Sequence, residues 1–390
     1  MTECLPCQRH LFDLPEDVHY LNCAYISPLM HAVADAMRAG LGREMRPWEI
    51  LASDFFHLPE RARELFAALI GAQADDIALV PSASYGMATA AANLEVAAGR
   101  RILLLAEQYP SNVYVWREVA RRRGATLKLV PRPADGDWTA AVLAAIDGEV
   151  AIAALPHNHW MDGGLLDLAA IGSALRDVGA GLAVDASQSL GALPLDVGAV
   201  RPDFLVAAGY KWMMSPYGLS YLYVAPGRQD GRPLEENPHN RADGEDFPRL
   251  AELKEDYARG ARRFDAGERA NFTLLPGAVS ALKQLNAWTP AGIQASLAKK
   301  TAALAEAAAD LGLAALPEGR RAGHFLGLRF PTAVYPNGPP AGLAPALAAA
   351  KVFVSLRGSS LRVTPHLYNT EADDRALLKV LASELATKAR

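Results

Sequence analysis

From about residue 76 to residue 225 the chain alternates short apolar runs with Ala- and Leu-rich stretches, and this alternation constrains its fold more than any other feature. DIALV (76–80), RILLLA (101–106), TLKLVP (126–131), VAIAALP (150–156), GLAVD (181–185), FLVAAG (204–209) and LSYLYVA (219–225) read as strands. Between them SYGMATAAANLEVAA (84–98), SNVYVWREVARRRG (111–124), DWTAAVLAAI (137–146) and DLAAIGSALRDVGA (167–180) read as helices, the second closed by Gly124. Short strands of this kind, separated by helices, belong to a mostly parallel sheet covered on both faces, so the spacing predicts an α/β fold. Ligands of such sheets bind beyond the carboxyl ends of the strands, and the residues that follow each strand are therefore the candidates for function.

From about Leu253 the pattern changes. Long helical segments, LLPGAVSALKQLNAW (274–288) and AGIQASLAKKTAALAEAAADLG (291–312), precede strands HFLGLRF (324–330), VFVSL (352–356) and SLRVTP (360–365) and a last helix over 371–389. A chain of 390 residues is long for a single core. The expected organisation is an N-terminal segment, 1–30, packing on the small domain, a large domain over 31–285, and a smaller α+β C-terminal domain over 286–390. The polar stretch Gly227–Asp246 reads as a loop that a partner subunit orders.

Charge and cysteine usage exclude several function classes. Lys and Arg number 39 against 43 Asp and Glu, a formal charge of −4, and the RRR run at Arg121–Arg123 suits the end of a helix rather than a basic stripe. Nucleic acid is not an expected partner. There is no apolar run near 18 residues and no leader pattern, so the expectation is a soluble, cytoplasmic protein without membrane contact. The three cysteines, Cys4, Cys7 and Cys23, all lie at the start, which excludes a disulfide framework. CLPC has CxxC spacing but no second pair, and no metal site is expected.

Taken in turn, the strand ends carry a set of polar and aromatic residues. Ser82 and Ser84 begin a helix after the first strand, where free N–H groups can cradle a phosphate or the serines simply cap. Tyr109 follows the second, as a ring-stacking face or a packing residue. His157, Asn158, His159, Trp160 and Asp162 cluster after VAIAALP, where His159 is either a ligand's hydrogen-bond partner or a loop residue. Asp185 ends GLAVD; a desolvated carboxylate there needs a partner, such as a protonated pyridine nitrogen, unless it caps the next turn. Gln188 can turn toward the same place. Lys211, between Tyr210 and Trp212, either snorkels to solvent or is an amine kept dry for Schiff-base chemistry. Together a phosphate cradle, a stacking aromatic, an acid and a lysine match the needs of pyridoxal phosphate.

The run VDASQSLGALPLDVGAVRPDFLVAAGYKWMMSPYGLSYLYV resembles the core signature of the class V aminotransferases, a fold-type-I pyridoxal-phosphate group. That group includes cysteine desulfurases, kynureninases, isopenicillin-N-epimerase-like proteins and C–S lyases. YLNCAYISPL, RFDAGERANFTLLPGAVSAL and LRVTPHLYNTEADDRALL resemble its N-terminal, dimer-side and closing segments. The resemblance implies pyridoxal 5'-phosphate as cofactor and a homodimer with active sites at the interface. It implies Lys211 as the residue joined to the cofactor, Asp185 at the ring nitrogen, Gln188 and His159 near the ring hydroxyl or substrate, and Tyr109 on the ring. Ala83, Ser84 and Tyr210 would hold the phosphate, Asn271 would reach it from the partner subunit, and Arg362 would clamp a small amino acid's α-carboxylate.

Departures narrow the activity. AAGYK stands where desulfurases carry SGHK, and no cysteine follows Cys23, so a persulfide-forming desulfurase is not expected. ERANF replaces the family's GT pattern at the dimer-side segment. An aminotransferase is the first expectation, with a C–S or β-elimination lyase or an epimerase as alternatives. A dinucleotide-binding oxidoreductase would need G-x-G-x-x-G and a serine hydrolase G-x-S-x-G; neither is present. A non-catalytic protein on the same fold, binding the cofactor without turnover, stays open.

Overall fold

The computed structural model describes residues 4–386. After β1 (His19–Tyr20), helices α1 (His31–Glu44) and α2 (Asp54–Ile70) lead into β2 (Ile77–Val80). There follow α3 (Ala83–Asn93), β3 (Arg101–Leu105), α4 (Ser111–Arg123), β4 (Thr126–Val130), α5 (Trp138–Ala145) and β5 (Val150–Pro156). Next come α6 (Leu168–Asp177), β6 (Gly181–Asp185), α7 (Val197–Val200), β7 (Phe204–Ala208) and β8 (Ser220–Val224). The strands from β2 to β8 form one seven-stranded sheet in the order β2-β8-β7-β6-β5-β3-β4. Only β8 runs against its neighbours, β2 and β7. The architecture is thus the expected α/β fold on a mostly parallel sheet.

Two apolar cores cover the sheet. On one face Trp116, Met87 and Ala90 of α4 and α3 pack against Val206, Ile152 and Leu104. On the other, Trp138, Phe66 and Ile171 meet Leu155, Val184 and Tyr221. Gly86 lets α3 sit close to β7, because a Cβ there would come within 2.5 Å of Val206 Cγ2. Gly124 ends α4 in the left-handed conformation (φ 68°) that glycine adopts without penalty.

The remaining elements are α8 (Leu274–Trp288), α9 (Pro290–Asp310), β9 (Leu326–Arg329), α10 (Leu343–Ala349), β10 (Val352–Phe353), β11 (Ser355–Arg357), β12 (Ser360–Val363) and α11 (Glu371–Ala386). Helix α8 packs on α1 and α2, and the expected boundary at residue 285 falls in its last turn. β11, β12 and β9 make a three-stranded antiparallel sheet over a third core of Leu326, Phe330, Leu361 and Leu377. The N-terminal segment lies on this part of the chain: β1 pairs in parallel with β10, and Asn22 bridges to Thr364.

Two expectations need correction. The helix expected over 84–98 ends at Asn93, because Leu94 turns extended and sinks into the core with Val96, while Asn93 bonds the backbone of Arg232. VFVSL is not one strand but two, since Val352 and Phe353 serve the N-terminal segment and Ser355 onward pairs with β12. The 227–246 loop makes bonds within its own chain, through Glu235 on the Gly267 N–H (2.6 Å) and Asn240 on the Glu235 and Arg263 carbonyls. The last residues of the helix expected to reach 389, and residues 1–3 of the N-terminal segment, lie outside the described residues. Among the described residues, no helix is long and apolar enough to cross a membrane.

Candidate active site

The carboxyl ends of β5, β6 and β7 and the N-termini of α3 and α4 enclose a cleft of about 230 Å³. Ala83, Ser84, Tyr109, Asp185, Gln188, Tyr210 and Lys211 all line it. At α3, Ser82 accepts the Tyr85 N–H (3.1 Å), so it is the cap. The first-turn N–H groups at Ala83 and Ser84 have no partner within the helix, and that end carries the positive pole of the helix dipole.

Lys211 follows β7 by three residues and is 6% exposed. Its backbone is pinned: the Ser27 N–H donates to the Tyr210 carbonyl (3.0 Å), and the Cys23 thiol approaches the Lys211 carbonyl (3.9 Å). Nζ lies 5.4 Å from the centre of the Tyr109 ring and 5.6 Å from that of Tyr210. Burial pulls its pKa from 10.5 down to about 8; the Asp185 carboxylate opposes this, and Arg362 and Arg357 reinforce it. Among the described residues, no carboxylate makes an ion pair with Nζ.

Asp185 closes β6 and is buried. One carboxylate oxygen accepts the Ser187 N–H (3.0 Å), the turn contact that its position suggested. Ser187 in turn accepts the Ala208 N–H (3.1 Å), which ties the end of β6 to the end of β7 and so sets Asp185 and Lys211 relative to each other. Gln188 spends its amide on the Ala24 carbonyl and the Trp212 indole N–H, both at 3.2 Å. Tyr109 meets Trp160 edge-on at 5.4 Å. Tyr210 tilts against Tyr217 at 4.5 Å, and burial, with Tyr109 and Tyr217 beside it, pushes its hydroxyl up to about 12.

His159 does not line the cleft. It is fully buried, stacked on Trp138 (5.1 Å between centres), with Nε2 3.3 Å from the Ala106 carbonyl. The reason is alternation carried past the end of β5. Pro156, Asn158 and Trp160 face the cleft, while His157 and His159 turn to the other side. Asn158 thus occupies the wall, with both polar atoms of its buried amide lacking a partner. Asn112, near the start of α4, also lines the cleft and leaves its Nδ2 unpaired. The period-two pattern of strand β5 was the signal for Asn158; Asn112 and Ser187 had none.

Two further expected residues lie off the cleft wall. Arg362, on β12, is 2% exposed. It donates to the Trp160 carbonyl (3.2 Å) and leaves Nε unpaired, so it adjoins the cleft through Trp160. Asn271 is exposed, accepts the Leu274 N–H (2.7 Å) at the start of α8, and lies in a separate groove with Glu44, Phe55 and Phe272.

The profile of the family described as Aminotransferase class-V matches residues 21–324. The chain belongs to this family. An uncharacterized aminotransferase of Bacillus subtilis, YcbU, is 30% identical over 345 residues, covering 84% of both chains. The isopenicillin N epimerase of Streptomyces clavuligerus is 32% identical over 195 residues, 49% of this chain and 48% of that one. Among solved structures, a variant of C-DES with glycine covalently linked to its PLP cofactor matches with a TM-score of 0.84 at 19% identity, over 96% of this chain and 99% of that one. The fold is fold-type I, and the cofactor of this class V chain is pyridoxal 5'-phosphate.

The cleft's own chemistry fits that group. It offers unpaired N–H donors at a helix N-terminus for a phosphate, an aromatic face, and a buried carboxylate for a ring nitrogen. It also offers an amine of lowered basicity and two buried amides that need partners.

Proposed function

We propose that the protein is a PLP-dependent aminotransferase acting on a small amino acid, with Lys211 joined to the cofactor. The observation that carries this is a buried lysine amine, without an ion pair, whose pKa falls to about 8 in a cleft it shares with Asp185. When bound, pyridoxal phosphate supplies an aldehyde and an electron-withdrawing ring. Ala83 and Ser84 would bind its phosphate through N–H and hydroxyl donors, with Tyr210 beside them. The Asp185 carboxylate would hold a proton at the ring nitrogen, and Tyr109 would cover one face. Asn158, rather than His159, would donate to the ring hydroxyl, with Gln188 as a wall.

Lys211 Nζ loses its proton at a far lower pH than an exposed lysine, which leaves a lone pair available to bond a carbonyl carbon. Once free, the same amine is placed to take a proton from the substrate's α-carbon and return it, a general-base contribution of about 10²–10⁴-fold. Arg362 would bind the α-carboxylate in a fork, exchanging its present bond to the Trp160 carbonyl for the ligand.

We also propose a homodimer. Leu41, Met45, Trp48 and Leu51 are exposed, the third by 76%, and apolar surface of that kind marks an interface. Tyr25 and Tyr217 are exposed as well, and Asn271 would then serve the partner's site.

A C–S or β-elimination lyase, or an epimerase, is the second reading, supported by the likeness to the Streptomyces clavuligerus epimerase. A persulfide-forming desulfurase is not supported: β11 and β12 and the turn between them carry no cysteine, and Cys23 is fully buried with its thiol pushed up by desolvation. The experiment is to load the protein with pyridoxal phosphate and add a panel of amino acids. Aminotransfer converts the visible absorbance to the pyridoxamine form and yields a keto acid. Pyruvate with ammonia, or sulfide, while the cofactor keeps its aldehyde form would favour the lyase, loss of optical rotation without a keto acid the epimerase, and none of these with any amino acid a binding protein. A K211A variant that kept the visible band would overturn the role of Lys211.

A further inference from the structure

β11 and β12 pair so that Ser355 faces Arg362 and Arg357 faces Ser360. With a side-chain period of two, Ser355 and Arg357 share one face of the hairpin, and Arg362 lies on that face as the diagonal neighbour of Arg357. Diagonal neighbours sit about 7–8 Å apart, and like charges brought close across a strand pair repel. Both guanidinium groups meet Trp160, which lines the cleft. Arg362 donates to its carbonyl (3.2 Å), and the Arg357 Cζ lies 5.8 Å from the centre of its ring.

Neither arginine is neutralised by the described residues. Among the described residues, the hydrogen bond of Arg357 goes to the Leu356 carbonyl (2.8 Å), and neither group has a carboxylate in ion-pair contact. Nearby Arg132, by contrast, pairs with both Glu107 and Asp162. Asp185 is the one acidic residue of the cleft wall. Arg357 is also close enough to lower the basicity of both Lys211 and Arg362. The charge of this end of the site is therefore balanced only when a ligand brings anions to it. A single α-carboxylate on Arg362 would leave Arg357 unanswered, and the phosphate donors belong to α3.

We infer that the substrate is an α-amino dicarboxylate, with Arg362 binding its α-carboxylate and Arg357 its side-chain carboxylate beside Trp160. This rests on the function proposed above and names its substrate class.

The test uses the pyridoxal-phosphate-loaded enzyme and compares kcat/KM of the amino-donor half-reaction for aspartate against asparagine and glutamate against glutamine. Each acid and its amide have nearly the same shape, so their ratio reads the second charge alone. A charge-assisted bond predicts a ratio of about 10–100 in favour of the acid. R357M should bring that ratio close to one, and R357K, which keeps the charge but not the fork, should retain part of it. A wild-type enzyme that prefers the amides, or an R357M ratio equal to that of the wild type, overturns the inference; the wild-type ratio decides even if a variant fails to fold. A loaded enzyme that shows the visible band and turns over neutral amino acids alone defeats only this inference. One that shows no band and no half-reaction defeats the proposed function, and this inference with it.

Discussion

Two buried ionic centres in this molecule differ in how completely their charges are answered. At the first, Arg63 and Asp265 are both wholly buried. Arg63 forks onto the two Asp265 oxygens, reaches the Ile77 carbonyl (2.5 Å) and pairs with Glu60 (3.0 Å). Asp265 also accepts the Leu79 N–H (2.8 Å) and faces Arg269 at 2.9 Å. At the second, among the described residues, Lys211 has no ion pair, Asp185 holds one backbone N–H, and the Asn158 side-chain amide has no partner. The first network ties β2 to the segment before α8 and answers its charges within the chain. The second leaves desolvated groups that fold without partners, a cost that binding can repay.

The sharpest way to break this comparison is K211A. It should lower activity by about 10⁴-fold, the upper end for loss of a catalytic base, and abolish the visible band of the loaded enzyme. In the cofactor-free protein at neutral pH it should not lower the urea midpoint and should raise it, since no ion pair is lost and the penalty of a buried charged amine is removed. A large loss of stability would place Lys211 in the structural class.

D265N should do the opposite. Removing the buried carboxylate charge that Arg63 and Arg269 share costs about 3–5 kcal/mol, read as a lower urea midpoint. Retained stability would mean that the network is not what joins these segments.

The third test is pH. An unfolded lysine keeps its proton to about pH 10.5, but Lys211 in the fold keeps it only to about 8. Between these values the unfolded chain binds more protons, so stability of the cofactor-free protein should rise with pH across that window, by up to about 3 kcal/mol. Below about pH 8 the full penalty of burying the charged amine remains. The difference between wild type and K211A in unfolding free energy, measured from pH 7 to 11, isolates this; parallel profiles would refute it.

The smallest effect expected is that of N158A. Among the described residues its amide has no partner, so pyridoxal-phosphate affinity should fall by about tenfold in an absorbance titration while stability shifts by less than about 1 kcal/mol.

The alternation of strands and helices was readable because the β-strands from β2 to β8 are buried on both faces apart from the edge strand β4 and a few half-buried residues at or next to strand ends. Asp185 and Lys211 were readable as strand-end positions for the same reason. His159 was misplaced because the pleat continues past Pro156 and hands the cleft to Asn158. The end of α3 at Asn93 escaped notice because it depends on Arg232, which is far away in sequence. Cys23, to which the sequence reading gave no role, lies beneath Lys211 because the N-terminal segment crosses to β10 and Thr364.

By itself the sequence determined the sheet, the order in which its strand ends present chemistry, and the family to which that order belongs. All of these follow from local periodicity and short motifs. The tertiary structure alone decided which polar groups stay unanswered. Whether Arg357 and Arg362 share a face, whether Asn158 or His159 meets the cleft, and whether Lys211 finds a counter-ion are questions of register and long-range approach. Burial then sets their energies, because a charge or an amide becomes expensive only where the fold has removed both water and partner.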